Sequence, residues 1–348
     1  DTAYYRWTHL LPLCEVGSPA GRFAMPPAAF HAWADEQQVT FPHGMTSLTT
    51  HDTKRSEDVR ARLGVLSEAA DEWDATVSRL QESTARIRPA LLDGRTENLW
   101  WQTLVGTADE HGVMEWDRLE GDLIKAMREA KTLTTWTSVD ADYESAVLWF
   151  AQSCHADRTV RDIVHEWHES TASGTRAAIL SMKLVQLTIP GVPDVYQGTE
   201  MVAPSLVDPD NRRPVDFDAR ASALGRLATG ARPRTLDEEK LLVTSRALQA
   251  RRDEADAFVG PHAGYHPLPS SSGHAVVFAR TAADQPRVIT AATRLGLDLE
   301  GLGGWREHTV TLPEGRWRDT LSGRVHDGGT VELSDLLSQL PVALLVEA

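Results

Sequence analysis

The stretch Thr46-Ser47-Leu48-Thr49-Thr50-His51-Asp52-Thr53-Lys54-Arg55-Ser56-Glu57-Asp58 limits the possible folds more than any other part of the chain. Small and β-branched residues run into a His-Asp pair, and a helix start follows at once. Ser56 is placed to cap that helix, and Glu57 and Asp58 fall in its first turn, where the helix dipole favours carboxylates. A strand that ends this way is characteristic of the mouth of a (β/α) barrel, the rim on which such folds display catalytic side chains. A fixed carboxylate beside an imidazole can brace sugar hydroxyls and oppose the charge of an oxocarbenium-like transition state without transferring a proton. His51 and Asp52 are therefore the candidate catalytic pair. From the dipeptide alone, a structural role with Asp as a cap and His as packing is the commoner one.

The rest of the chain is read outward from this stretch. Residues 1–63 form a barrel segment whose first part is loop-rich, with a short helical stretch near Phe30 to Asp35. Val59, Leu63, Leu66, Ala70, Trp73, Val77 and Leu80 recur in steps of four and three, which predicts one long helix ending before Pro89. Further apolar stripes (Trp116, Leu119, Leu123 and Met127; Tyr143, Val147, Phe150 and Cys154; Val160, Ile163, Val164 and Trp167) make residues 64–172 a helical insertion. Residues 173–260 read as a last βα unit with a following loop and helix. It carries Pro190-Gly191-Val192-Pro193-Asp194-Val195-Tyr196-Gln197-Gly198 at a strand end, and Thr235 and Glu238 in a capping-box pattern. From 261 to 348, short strands punctuated by Pro313-Glu314-Gly315, Ser322-Gly323 and Gly328-Gly329 predict an antiparallel β-sandwich. The expected class is α/β: the C-terminal part of a (β/α)8 barrel with a helical insertion, then the sandwich.

Charge narrows the partners. A formal net charge of -15 disfavours nucleic acid and anionic membrane surfaces, and no run of apolar residues is long enough to span a bilayer. A neutral ligand such as a carbohydrate suits this surface better. Cys14 and Cys154, the only cysteines, read as reduced cytosolic thiols, with a single bridge between them as the alternative, so a cytoplasmic location is expected. The first residue is Asp rather than Met, as expected of a processed or truncated chain.

Three separated strings then read together: Thr49-Thr50-His51-Asp52-Thr53-Lys54-Arg55-Ser56-Glu57-Asp58-Val59-Arg60, Pro190-Gly191-Val192-Pro193-Asp194-Val195-Tyr196-Gln197-Gly198-Thr199-Glu200, and Val207-Asp208-Pro209-Asp210-Asn211-Arg212-Arg213-Pro214-Val215-Asp216. In content and order they resemble the maltooligosyl trehalose synthase family of the α-amylase superfamily. The resemblance implies an isomerase without a cofactor, which converts the reducing-end α-1,4 bond of a maltooligosaccharide to an α,α-1,1 bond by intramolecular transglycosylation. Such retaining chemistry uses a nucleophilic carboxylate and a carboxylic acid roughly 5 to 5.5 Å apart, while a third carboxylate braces the sugar. By matching position, Asp52 is that third group and His51 its neighbour. No Gly-x-Arg-x-Asp-like strand end occurs in this sequence, so the nucleophile and the acid/base are expected from an N-terminal half of the enzyme. That half is the implied partner, alongside the maltooligosaccharide substrate. Alone, the chain is expected to be neither well folded nor active, because a partial barrel leaves open strand edges. An α-glucan hydrolase of the same superfamily and a non-catalytic glucan-binding chain are the alternatives.

The remaining candidates divide between substrate contact and structure. Lys54 and Arg55 are placed to hydrogen-bond sugar hydroxyls, with a solvated cationic pair or salt bridges to Glu57 or Asp58 as the equal alternative. Tyr196 is a candidate for stacking on a sugar face. Asp208, Asp210, Arg212 and Arg213 read as an ion-paired turn holding the mouth in shape, with Arg212 reaching substrate most readily and Asp210 as a second polar contact. Glu15, Tyr5 and Arg6 read as surface groups more readily than cleft groups. Of Trp100 and Trp101, adjacent on a helix, only one is expected to face fully inward. His165-Glu166-Trp167-His168 misses the zinc-helix spacing by one residue, so no metal is expected.

Overall fold

The computed structural model describes residues 2–348. Two compact units emerge. One gathers the chain up to Phe23, Thr50–Ala172 and Pro204–Arg213, and the other gathers Ala24–Thr49, Ser173–Ala203 and Pro214–Ala348.

The first unit is helical. At its centre lies the helix Gly94–Thr107, buried from Leu99 to its end and packed against Glu57–Gly64, Trp116–Ala130 and Arg158–Ser170. Trp100 and Trp101 are therefore both buried, against the expectation for neighbours on a helix. A surface helix can bury only one of two adjacent residues, but a helix enclosed on several sides buries both. Trp101 meets Phe150 and Trp100 meets Trp116, each edge to face. The single helix expected over 59–80 is in fact two, Glu57–Gly64 and Ala70–Thr84, with a 3-10 turn, Val65–Ser67, between them. The break falls at a poor helix former, Gly64, whose carbonyl is taken by Ser67 Oγ at 2.7 Å. The apolar stripe continues in phase through the break, so periodicity alone could not reveal it.

The second unit holds two sheets. Strands β1 (Met45–Thr46) and β2 (Val192–Pro193) form a two-residue parallel ladder, Met45 opposite Val192. Gly191, at φ 120°, precedes β2, and a Cβ there would lie 2.6 Å from the Gly44 carbonyl oxygen, so only glycine fits. Gln186, from the helix Ala172–Thr188, donates to the carbonyls of Thr46 and Asp194 at 3.0 Å and locks both strands to it.

The C-terminal strands pair antiparallel in one hydrogen-bonded sheet of order β3-β4-β5-β8-β6-β7. Its strands are β3 (Ala263–Pro267), β4 (Ala275–Ala282), β5 (Gln285–Thr293), β6 (Thr309–Asp319), β7 (Val325–Glu332) and β8 (Val342–Glu347). Strand β6 bridges the Pro313-Glu314-Gly315 signal with a register shift between Leu312 and Arg316, where a turn was expected. The central strands are buried on both faces. Val288, Val342 and Leu344 pack towards the helices around Leu241 and Phe258, while Ile289, Ala343 and Leu345 face a second core with Trp317 and Leu333. That double burial is why β5 and β8 read as continuous apolar runs rather than alternating strands.

Candidate functional site

The candidate pair sits in the first unit, on a short turn before a helix. Ser56 caps Glu57–Gly64 as the sequence predicts, its side chain accepting from the Val59 amide. Thr53 Oγ1 donates to the Thr50 carbonyl at 3.0 Å, and the Asp52 amide donates to Thr50 Oγ1 at 3.2 Å. His51 and Asp52 form the exposed tip, and the Asp52 side chain is 51% exposed. Directly after them the chain turns inward, burying Thr53, Lys54 and Arg55.

Three side chains hold this tip. Lys54 Nζ lies 3.2 Å from both the backbone carbonyl and Oδ1 of Asp52, an ammonium fixed against the candidate carboxylate. Asn211 Nδ2 donates to the carbonyls of Thr50 and His51 at 3.3 and 3.2 Å. Glu15, 3% exposed, accepts the Lys54 and Arg55 amides. The expectation that Glu15 is a surface carboxylate is thus corrected: it is an internal one. The sequence did carry a signal for this, a single acid inside the apolar run Leu11-Pro12-Leu13-Cys14-Glu15-Val16.

Lys54 and Arg55 are likewise not a solvated pair. Lys54 pairs with Asp52, and Arg55 is buried near Asp122 and Tyr5, whose ionisation its positive charge favours. Tyr5, expected at the surface, is buried too, and desolvation holds its phenol well above the usual range. Arg6 caps the end of Trp116–Ala130, donating to the Ala130 carbonyl at 2.6 Å.

The polar loop 204–213 is an ion-paired turn. Arg118 grips Asp210 with Nε on Oδ1 at 2.7 Å and Nη2 on Oδ2 at 3.0 Å, and Asp210 also accepts the Leu206 amide at 2.9 Å. Neither oxygen of Asp210 is left uncommitted, which makes it a strut rather than a ligand-facing group. Lys125 takes Asp208 at 2.8 Å, and that bond holds the Asp208 carboxyl below the usual carboxylate range. Arg212 stays half exposed, 3.3 Å from Asp208, and Arg213 is similarly exposed. Tyr196 belongs to the second unit, in a turn where its carbonyl accepts from the Thr199 amide and hydroxyl. No group of three or more His, Cys, Asp or Glu among the described residues is arranged to hold a metal ion.

The least comfortable group nearby is Asp122, 5% exposed with neither carboxylate oxygen hydrogen-bonded. Desolvation pushes its carboxyl up to about 6, with Arg55 pulling the other way. A folded-state value above the unfolded one favours folding of the protonated form. That contribution is complete below the unfolded carboxylate pKa and is lost as pH rises through about 6. Asp122→Asn is therefore expected to gain stability relative to the parent as pH rises from 4 to 7, by about 1 to 3 kcal/mol. Urea unfolding at both pH values checks this, and a pH-independent difference would contradict it.

No family model matches the chain. A Mycobacterium tuberculosis (strain H37Rv) protein provisionally assigned as a maltooligosyl trehalose synthase is 35% identical over 368 aligned positions, taking in 99% of this chain and 43% of its own length. The structure of maltooligosyltrehalose synthase from Arthrobacter ramosus superposes with a TM-score of 0.90 at 38% identity, over 99% of this chain. The chain is homologous to maltooligosyl trehalose synthases along its whole length. A more distant synthase structure, a hypothetical one from Sulfolobus tokodaii, is matched at 27% identity with a TM-score of 0.78. The chain spans less than half of these synthases, about 44% of each solved structure.

Proposed function

We propose that this chain is the C-terminal half of a maltooligosyl trehalose synthase, an α-amylase-type barrel enzyme that isomerises the reducing-end α-1,4 bond of a maltooligosaccharide to α,α-1,1. In this reading the nucleophile and the acid/base lie on the part of the synthase length that the chain does not span. Asp52 braces the hydroxyls of the reacting sugar and opposes the positive charge that develops at its anomeric carbon. Lys54 fixes the Asp52 carboxylate, and Asn211 and Glu15 fix the backbone that carries it. Arg212, in the same unit, is a further substrate contact. Because the freed glucose must turn and attack the glycosyl-enzyme, water has to be held off while it does so.

One observation carries the reading: in a chain homologous to synthases end to end, the His51-Asp52 tip is exposed while Lys54, Asn211 and Glu15, which support it, are buried. A second observation supports the missing half. The β1–β2 ladder is far too small to persist as a sheet by itself, and Met45 within it is 75% exposed, with Val39 and Phe41 nearby in sequence also exposed. Such an apolar rim fits the remainder of a barrel.

Product analysis tests the proposal. The full-length polypeptide, given a maltooligosaccharide, is expected to accumulate a non-reducing saccharide of unchanged length with little free glucose. Release of glucose or shorter reducing sugars as the main product would favour a hydrolase. Full turnover by the N-terminal segment without this chain would reduce it to a binding module.

A further inference from the structure

Glu15 follows the 3-10 turn Leu11–Leu13 and is buried, and its ion pair with Arg60 Nε is a long one, 4.0 Å. Its hydrogen bonds go to backbone amides. Oε1 accepts the Lys54 and Val16 amides, each at 2.8 Å, and Oε2 accepts the Lys54 amide at 3.0 Å and the Arg55 amide at 3.2 Å. Burying a carboxylate is costly unless its lone pairs are met, and here they are met by amides from a segment some 39 residues away in sequence. Starting the next helix is not the reason, since Ser56 already caps it. The two distant amides that Glu15 holds, those of Lys54 and Arg55, lie between the exposed tip and the Ser56 cap, beyond Thr53.

We infer that Glu15 is the positioning residue for Asp52: by gripping the Lys54 and Arg55 amides from behind, it sets the direction in which the Asp52 carboxylate points. The inference rests on the glycosyl-transfer reading above and adds to it a residue that touches no substrate. A displacement of about 1 Å at a reacting centre costs about a hundredfold in rate, so the grip should register in kcat before it registers in KM.

Steady-state kinetics of four full-length proteins (parent, Glu15→Ala, Asp52→Asn and the double variant) test this. Glu15→Ala is expected to lower kcat about 100-fold with KM changed less than about threefold. Glu15→Gln, which keeps one acceptor oxygen, should recover most of that loss. In the Asp52→Asn background the Glu15 substitution should cost less than about twofold, because the group it positions is already disabled. Equal losses in both backgrounds would mean that Glu15 only supports the fold, and would overturn the inference. If Glu15→Ala does not fold, Glu15→Gln is carried through the same cycle. Amide exchange at Lys54 and Arg55 keeps the two readings apart. Parental turnover in Asp52→Asn, with exchange still accelerated at least about tenfold in Glu15→Ala, defeats the glycosyl-transfer reading and the role of Glu15 in it, but leaves the grip itself standing. Unchanged exchange defeats the grip whatever the kinetics.

Discussion

Asp52→Asn in the full-length enzyme is expected to lower kcat by about two to three orders of magnitude while leaving thermal stability unchanged. The two halves of that expectation have separate grounds. Among the described residues, the side-chain donor to the Asp52 carboxylate is Lys54 Nζ, at 3.2 Å from Oδ1, and an asparagine oxygen can accept the same bond. The turn itself is held through backbone carbonyls and amides by Asn211 and Glu15, none of which the substitution touches. What Asn removes is the negative charge, and charge is what an oxocarbenium-like transition state demands and a ground-state sugar does not. Affinity for substrate should accordingly fall much less than turnover. Kinetics with a maltooligosaccharide, alongside a thermal melt, decide the matter. Near-parental kcat would remove Asp52 from the chemistry, and a large loss of stability would make its role structural after all.

How much of this was legible beforehand differs between fold and site. The helices Trp116–Ala130 and Arg158–Ser170 bury the residues their 3.6 period marks, Trp116 at the first helix end being only partly buried, because each presents one face to the core. Gly94–Thr107 defeated the same rule, since enclosure on several sides erases the periodic signal that Trp100 and Trp101 would otherwise give. In the sheet, Ala263-Gly264-Tyr265-His266-Pro267 of β3 carries neither alternation nor β-branched residues, and cross-strand pairing with β4 defines it. At the site, His51, Asp52 and the Ser56 cap were readable because they are consecutive and their roles are local. Glu15, Asn211, Arg118 and Asp122 act on residues far away in sequence, so spacing could not assign them partners. For Glu15 the lone acid in an apolar run was still a mark of burial. For Asn211, flanked by Asp210 and Arg212, the more conspicuous charges drew attention away from a neutral amide that does the holding.

Arg118→Ala is expected to produce the largest loss of stability argued here, about 3 kcal/mol. The pair is nearly buried, with side-chain exposures of 16% for Arg118 and 9% for Asp210, and its geometry is the parallel two-bond fork that suits a guanidinium to a carboxylate. Truncating Arg118 also frees the Pro204 carbonyl, which accepts from Nη2 at 2.8 Å. Most of the loss, however, should come from the charge left behind, since Asp210 would keep only the Leu206 amide. That makes the double variant informative. Arg118→Ala with Asp210→Ala should be more stable than Arg118→Ala alone by about 1 kcal/mol or more, because the orphaned carboxylate is gone. Urea unfolding of the parent, both single variants and the double variant measures this directly. Strictly additive costs, or a single-variant cost below about 1 kcal/mol, would show that the fork behaves as an exposed ion pair. Activity should follow stability for a stated reason: Asn211 adjoins Asp210 and holds the carbonyls of Thr50 and His51, so a loosened loop releases the tip that carries Asp52. The helix Trp116–Ala130 thus bears on the candidate site through two loop contacts, Arg118 with Asp210 and Lys125 with Asp208.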